Sequence, residues 1–158
     1  MTAAYDVPYM ERTREYYRAQ GYTRDYKWAH HTETPFHTPV KLVKNSRIAV
    51  ITTAMPDTEL GRKQRQIYSI PSRPLPEFMY TDELSWDKKA THTDDVASFL
   101  PLFQLKQFAA EKLIGSLARR YHCVPTDFSH RNTTLKDAPV ILERCQQDQV
   151  DLAILVPL

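Results

Sequence analysis

Two short runs of consecutive apolar residues limit what this chain can fold into more than any other feature. The first, Ile48-Ala49-Val50-Ile51, lies within 47–54, and the second is Leu152-Ala153-Ile154-Leu155-Val156. A strand with one wet face alternates apolar and polar positions. A run apolar at every position instead suits a strand covered on both faces, as in a parallel sheet. Turn-forming residues bound the first run, Asn45-Ser46 before it and Met55-Pro56-Asp57 after it.

Parallel strands need a crossover between them, and the intervening sequence carries helical patterns. Pro101 suits a first helical turn, and Leu102, Leu105, Phe108, Ala109 and Leu113 recur at helical spacing as far as Gly115. A second helix is predicted from Asp137 to Gln147, with Asp137 as N-cap, Pro139 just inside, and Ile141, Leu142 and Cys145 on one face. Strand, helix, helix, strand predicts an α/β domain: a partial open, mostly parallel sheet with covering helices and a long irregular loop. That loop runs from Pro56 to Phe99, holds Pro71, Pro74, Pro76 and Gly61, and has the length of loops that serve function or form interfaces. Open α/β sheets bind ligands outside the carboxyl ends of their strands. The second apolar run stops at such an end, and the expectation is a sheet truncated at its C-terminal strand.

Residues 1–45 read as an N-terminal helix and extended arm, and 46–158 as the α/β domain. In the arm, 7–21 is predicted helical, with Pro8 in the first turn and Gly21 as a left-handed C-cap. Tyr9, Met10, Tyr16 and Tyr17 suit packing on a neighbouring domain or subunit. The stretch 22–45, with Pro35, Pro39 and His30-His31, is polar and extended.

Composition narrows the classes. At 158 residues the chain suits one domain able to bury roughly two-thirds of its unfolded surface. With 42% apolar and 25% charged residues it is an ordinary globular protein and not a disordered one. A net charge of +2 with interspersed signs offers no ground for nucleic acid as a partner, and no apolar run is long enough to span a membrane. The first residues lack a basic then apolar secretory pattern, and Cys123 and Cys145 are no close pair, so a cytoplasmic protein without a disulfide framework is expected. Three glycines build neither of the glycine-rich phosphate loops, and no cofactor is expected.

Several segments resemble the glycine/sarcosine/betaine and D-proline reductase selenoprotein B family. They are Arg65-Gln66-Ile67-Tyr68-Ser69-Ile70-Pro71, Leu84-Ser85-Trp86-Asp87, Ala90-Thr91-His92-Thr93-Asp94-Asp95 and Phe99-Leu100-Pro101-Leu102. Ile114-Gly115-Ser116-Leu117-Ala118, Asp137-Ala138-Pro139 and 151–158 continue the same order. The matches are collinear over 47–158 and specific only as an ensemble. The resemblance implies redox chemistry at a selenocysteine or cysteine followed two residues later by cysteine. In the family that motif comes directly after the sequence similar to Leu155-Val156-Pro157-Leu158. Selenocysteine uses a codon that usually means stop, so one expectation is a translation truncated at the recoding site. The other is a short subunit, or half of a split gene, whose partner supplies the thiols.

The implied chemistry is reductive C–N cleavage of a small-molecule amine or related substrate. A selenolate, ionised at neutral pH, attacks carbon and displaces the amine, and the neighbouring thiol resolves the intermediate. Other reductase subunits or self-association would supply the partners. Without the motif the chain is expected to be inactive.

Candidate site residues follow from residue type and position. His92, Asp94 and Asp95 in the long loop, and His122 beside Cys123, suit general acid or base work toward a leaving amine. Turn capping by the aspartates and simple solvation of the histidines is the bland reading. Thr52 and Thr53 at the end of the first strand, with Asp127, are substrate-binding candidates; the threonine hydroxyls satisfy backbone groups under the alternative. Cys145 on an apolar helix face is expected to be buried and inert. His30, His31 and His37 lack the further ligands a zinc site wants, and no metal is expected. Three classes stay open: the N-terminal part of a selenol- or thiol-dependent reductase, a non-catalytic subunit sharing an active site with a thiol-bearing chain, and a small non-redox binding module.

Overall fold

The computed structural model describes residues 8–25, 27, 29–34, 37–64, 66–84, 92–127 and 129–158. Arg65, Ser85-Trp86-Asp87 and Ala90-Thr91 of the resemblance, and Pro35 of the arm, lie outside them. Two compact units divide the chain, Met1–Phe36 and His37–Leu158. Residues 37–45 thus go with the second unit, where Lys41 pairs with Asp151 at 2.9 Å and Ser46 Oγ donates to the Leu42 carbonyl at 3.0 Å.

The first unit carries α1 (Tyr9–Ala19), which starts after Pro8. Gly21, at φ +88°, closes it. The Gly21 N–H donates to the Arg18 carbonyl at 2.9 Å and the Tyr22 N–H to the Tyr17 carbonyl at 3.1 Å, the paired bonds of a glycine-terminated helix. No residue of α1 is buried, and Tyr16 meets Tyr17 edge to face at 5.4 Å.

The second unit is an α/β fold on a mostly parallel sheet. Its centre is β1 (Arg47–Thr52). One edge of β1 pairs over Ile48 to Thr52 with β7 (Leu152–Val156), in parallel. The other edge pairs, also in parallel, first with β5 (Ser116–Leu117) and then with β6 (Arg120–Cys123). The register runs Ile48↔Leu117 but Ile51↔His122, so Ala118 and Arg119 form a bulge that breaks one strand into two. Beyond β6 lies β3 (Tyr68–Pro71), antiparallel, with Tyr68 opposite Cys123 and Pro71 opposite Arg120.

The side chains of β1 separate by face. Ile48 and Val50 join Leu102 and Leu105 of α3 (Leu102–Ala110) in one core, while Ala49 packs with Ala118, Ile141 and Cys145 of α5 (Ala138–Gln147) in another. Helices therefore cover β1 on both faces, as its unbroken apolar run predicts. The second run fares differently. β7 is parallel but lies at the sheet margin, and Ala153, Ile154 and Leu155 are exposed.

Other departures have local causes. The long loop is partly ordered: it supplies α2 (Glu59–Lys63), the edge strand β3, and a small antiparallel ribbon of β2 (Met55–Pro56) and β4 (Met79–Tyr80). Ile67-Tyr68-Ser69-Ile70 has strand composition, and Pro71 suits a strand ending at an edge. Helix α3 stops at Ala110, with Lys112 at φ 61° in the turn that follows. Gly115 is needed for closeness instead of capping, because a Cβ there would lie 2.5 Å from the Asn45 carbonyl carbon. Phe108, Leu113 and Leu142, expected on buried faces, are exposed. Asp137 is helical and makes no cap bond. The helical run begins earlier, at α4 (His130–Asn132), where Ser129 Oγ accepts from the Asn132 N–H, and passes through a wide turn at Thr133–Asp137. Pro139 explains the widening, since it has no N–H and its ring crowds the carbonyl one turn back.

Candidate functional site

The order β6, β1, β7 places consecutive crossovers on opposite sides of β1, with α3 on one face and α5 on the other. This is a point where the winding of an α/β sheet reverses, and crevices for ligands open there beyond the carboxyl ends of the strands. The candidate residues sort themselves by their distance from this edge.

Thr52 and Thr53 end β1. Thr52 is buried; its hydroxyl accepts from the Ala54 N–H at 3.3 Å and its carbonyl from the Val124 N–H at 2.9 Å. Thr53 spans the reversal, because its Oγ1 accepts from the Leu158 N–H at 2.8 Å and so ties the end of β1 to the segment leaving β7.

The His92 loop is tied to the β2–β4 ribbon that follows β1. Tyr80 pairs with Met55, and Thr81 beyond it hydrogen-bonds Thr93 hydroxyl to hydroxyl at 2.7 Å. That bond fixes Thr93, the residue between His92 and Asp94, to the strand end of the ribbon. His92 Nδ1 stands 3.5 Å from Asp94 Oδ2, and both side chains are mostly in water. Asp95 caps the turn Val96–Ser98, accepting from the Ala97 N–H at 3.1 Å. Asp127, in the loop after β6, accepts from the Ser129 N–H at 3.1 Å and from Asn132 Nδ2 at 2.6 Å. Partial burial first, and then the charge of Asp127, raise the pKa of Asp137.

His122 stands apart from these, inside the sheet and wholly buried. Its Nδ1 lies 2.7 Å from Ser69 Oγ, and Arg144 Nη1 donates to that same oxygen at 2.8 Å. A guanidinium only donates, so Ser69 Oγ accepts from Arg144, and the tautomer of the imidazole sets the direction of the bond to Nδ1. On the other side of the ring Nε2 faces Cys145 Sγ at 3.8 Å. Burial, followed by the charges of Arg120 and Arg144, pulls the histidine pKa down to about 4, so the ring is neutral at pH 7. Burial likewise pushes the Cys123 thiol up to about 12 and raises that of Cys145. Both cysteines are free, buried and protonated, on opposite faces of the sheet.

The sequence reading missed Ser69 and Arg144, whose part depends on the Ser69↔His122 register. It also missed a polar cavity of about 400 Å³ at the opposite, amino edge, lined by Lys41, Asn45, Arg47, Ser116, Gln149 and Asp151. Among the described residues no group of three or more histidine, cysteine or acidic side chains could hold a metal, and no helix is long and apolar enough to cross a membrane. No family model, curated protein or solved structure matches the chain.

Proposed function

We propose that this chain is the amino-terminal part of a selenol- or thiol-dependent reductase of the selenoprotein B type, cleaving a C–N bond in a small amine or related substrate. One observation supports the reading above the others. The segment similar to the family's approach to its redox motif, 151–158, lies beside β1 at the winding reversal, with Thr53 holding the Leu158 N–H at 2.8 Å. A nucleophile presented directly after that segment would stand beyond the carboxyl ends of β1 and β7, the side on which open α/β sheets take their ligands.

In this reading Thr53 positions the strand end that carries the nucleophile. His92 and Asp94, 3.5 Å apart and tied to the β2–β4 ribbon by the Thr81–Thr93 bond, handle the proton of the departing amine. His122 acts at one remove, fixing β3 and α5 on β6 through Ser69 and Cys145. The chain's own thiols take no part as nucleophiles, because a protonated, buried sulfur attacks slowly.

The test is the nucleotide sequence after the Leu158 codon. An in-frame TGA followed by coding sequence with a cysteine two residues on supports the reading. TAA or TAG with no coding similarity beyond it overturns the reductase made from one chain. Co-purification with a thiol-bearing subunit, in that case, would favour the shared-site reading, for which the exposed margin of β7 offers a surface.

A further inference from the structure

Where β3 leaves the sheet, a cavity of about 360 Å³ opens over the β5–β6 bulge. It exists because β3 stops opposite Arg120, so no strand among the described residues lies against the edge of β5 away from β1. Ala109, Leu117 and Ala118 give it an apolar floor. Arg73, Lys106 and Arg119 line it with three cations, and among the described residues none of them has an ion pair or side-chain hydrogen bond. Like charges gathered on one concave surface repel each other and attract a counter-ion.

Ser72, also in the lining, is 3% exposed, and its hydroxyl is buried with no hydrogen-bond partner among the described residues. Its backbone is held, the N–H donating to the Arg119 carbonyl at 2.7 Å. A buried hydroxyl without a partner costs free energy, and its site calls for an acceptor.

We propose that this cavity binds a small organic carboxylate with an apolar body. The apolar part rests on Ala109, Leu117 and Ala118, the carboxylate meets Arg73, Lys106 and Arg119, and the Ser72 hydroxyl turns about χ1 to donate to one carboxylate oxygen. A volume of this size accommodates a medium-chain or single-ring acid and lies at the small end of ligand pockets. The inference does not rest on the reductase reading, since the cavity uses none of the residues at the carboxyl ends of β1 and β7.

Isothermal titration of the full chain with octanoate, octanol and inorganic phosphate tests it. Octanoate is expected to bind at one site per chain, about tenfold or more tighter than either of the others. The double substitution Lys106→Gln/Arg119→Gln, at exposed positions, is expected to reduce octanoate affinity about tenfold with an unchanged melting temperature. Ser72→Ala is expected to weaken octanoate binding while raising the melting temperature of the free protein, a pairing that a merely structural serine would not show. Equal binding of octanol makes the cavity an apolar slot only, and equal binding of phosphate makes it a plain cation cluster. Either result overturns the proposal, as does no octanoate binding, or binding that survives the double substitution.

Discussion

β1 and β7 are neighbours of nearly the same composition with opposite surroundings. Val50 of β1 is 0% exposed, while Leu155 of β7 is 69% exposed, although the two strands pair residue for residue from Ile48↔Leu152 to Thr52↔Val156. β1 has a strand on each edge and a helix on each face. Among the described residues β7 has one strand on one edge and none on its outer edge, beside exposed apolar side chains. Natural sheets seldom leave such a margin bare, because it is a template for pairing with another strand. An apolar run therefore reports that a strand is built to be covered, and the fold decides whether this chain supplies the cover.

The largest expected effect breaks the central strand. Val50→Asp places a charge between two helices where nothing can pair with it, and at least ~4 kcal/mol is lost. Far-ultraviolet circular dichroism should show an unfolded or molten chain. A cooperative, native-like melt would break the contrast between the two strands.

The next effect sharpens it by pH. His122 sits in β6, against the buried edge of β1, with a folded pKa of about 4 against about 6.5 when unfolded. The unfolded chain thus takes the proton first. Stability is full above about pH 6.5, falls as pH drops toward 4, and has lost ~3 kcal/mol below that. Urea titrations between pH 7 and 4 should show this loss. His122→Gln, which does not titrate, should lose less over the same interval whatever its stability at pH 7.

A smaller effect belongs to the start of β7. Asp151 accepts from the Arg47 N–H at 2.9 Å and pairs with Lys41, and these two bonds, the backbone one first, hold its carboxyl pKa down. Their contribution is present above the ordinary carboxylate pKa and is lost as pH falls through the lowered value. Asp151→Asn is expected to cost about 1 kcal/mol. Amide exchange should quicken along 152–156 while the β1–β6 amides hold, and equal quickening in both would deny β7 its separate, weaker attachment.

The smallest effect is at the exposed margin itself. Leu155→Lys is expected to change stability by less than about 0.5 kcal/mol, because the side chain is already largely in water. Light scattering should show less association at high concentration, the charge having blunted an open edge. A large loss of stability would mean that Leu155 is covered in solution, by a second copy or by further chain.

The legible parts of the fold were those carried by short-range pattern. Pro8 and Gly21 bracket α1 because a missing donor and a positive φ are properties of single residues. The start of α3 after Pro101 and the two parallel strands were equally readable. The strand β3 was hidden between prolines, and the early start of the α5 run was hidden because Asp137-Ala138-Pro139 imitates a helix beginning. Within the candidate site, Thr53 directly follows β1, where the first apolar run ends, whereas Asp127 follows β6, a strand its local sequence did not announce. The local pairing of His92 with Asp94 followed from their spacing, but their attachment to the β2–β4 ribbon needed Thr81 to meet Thr93.

Sequence alone determined the class of this protein: two all-apolar runs separated by helical patterns leave little besides a parallel α/β sheet. Only tertiary structure decided that β7 takes the margin, that His122 turns inward to Ser69 and Cys145, and that a cation-ringed hollow remains where β3 departs. The physical reason is range. Helix ends and strand faces are set by residues a few positions apart, whereas edge, burial and cavity depend on which distant segments share a boundary, and no local pattern encodes that choice.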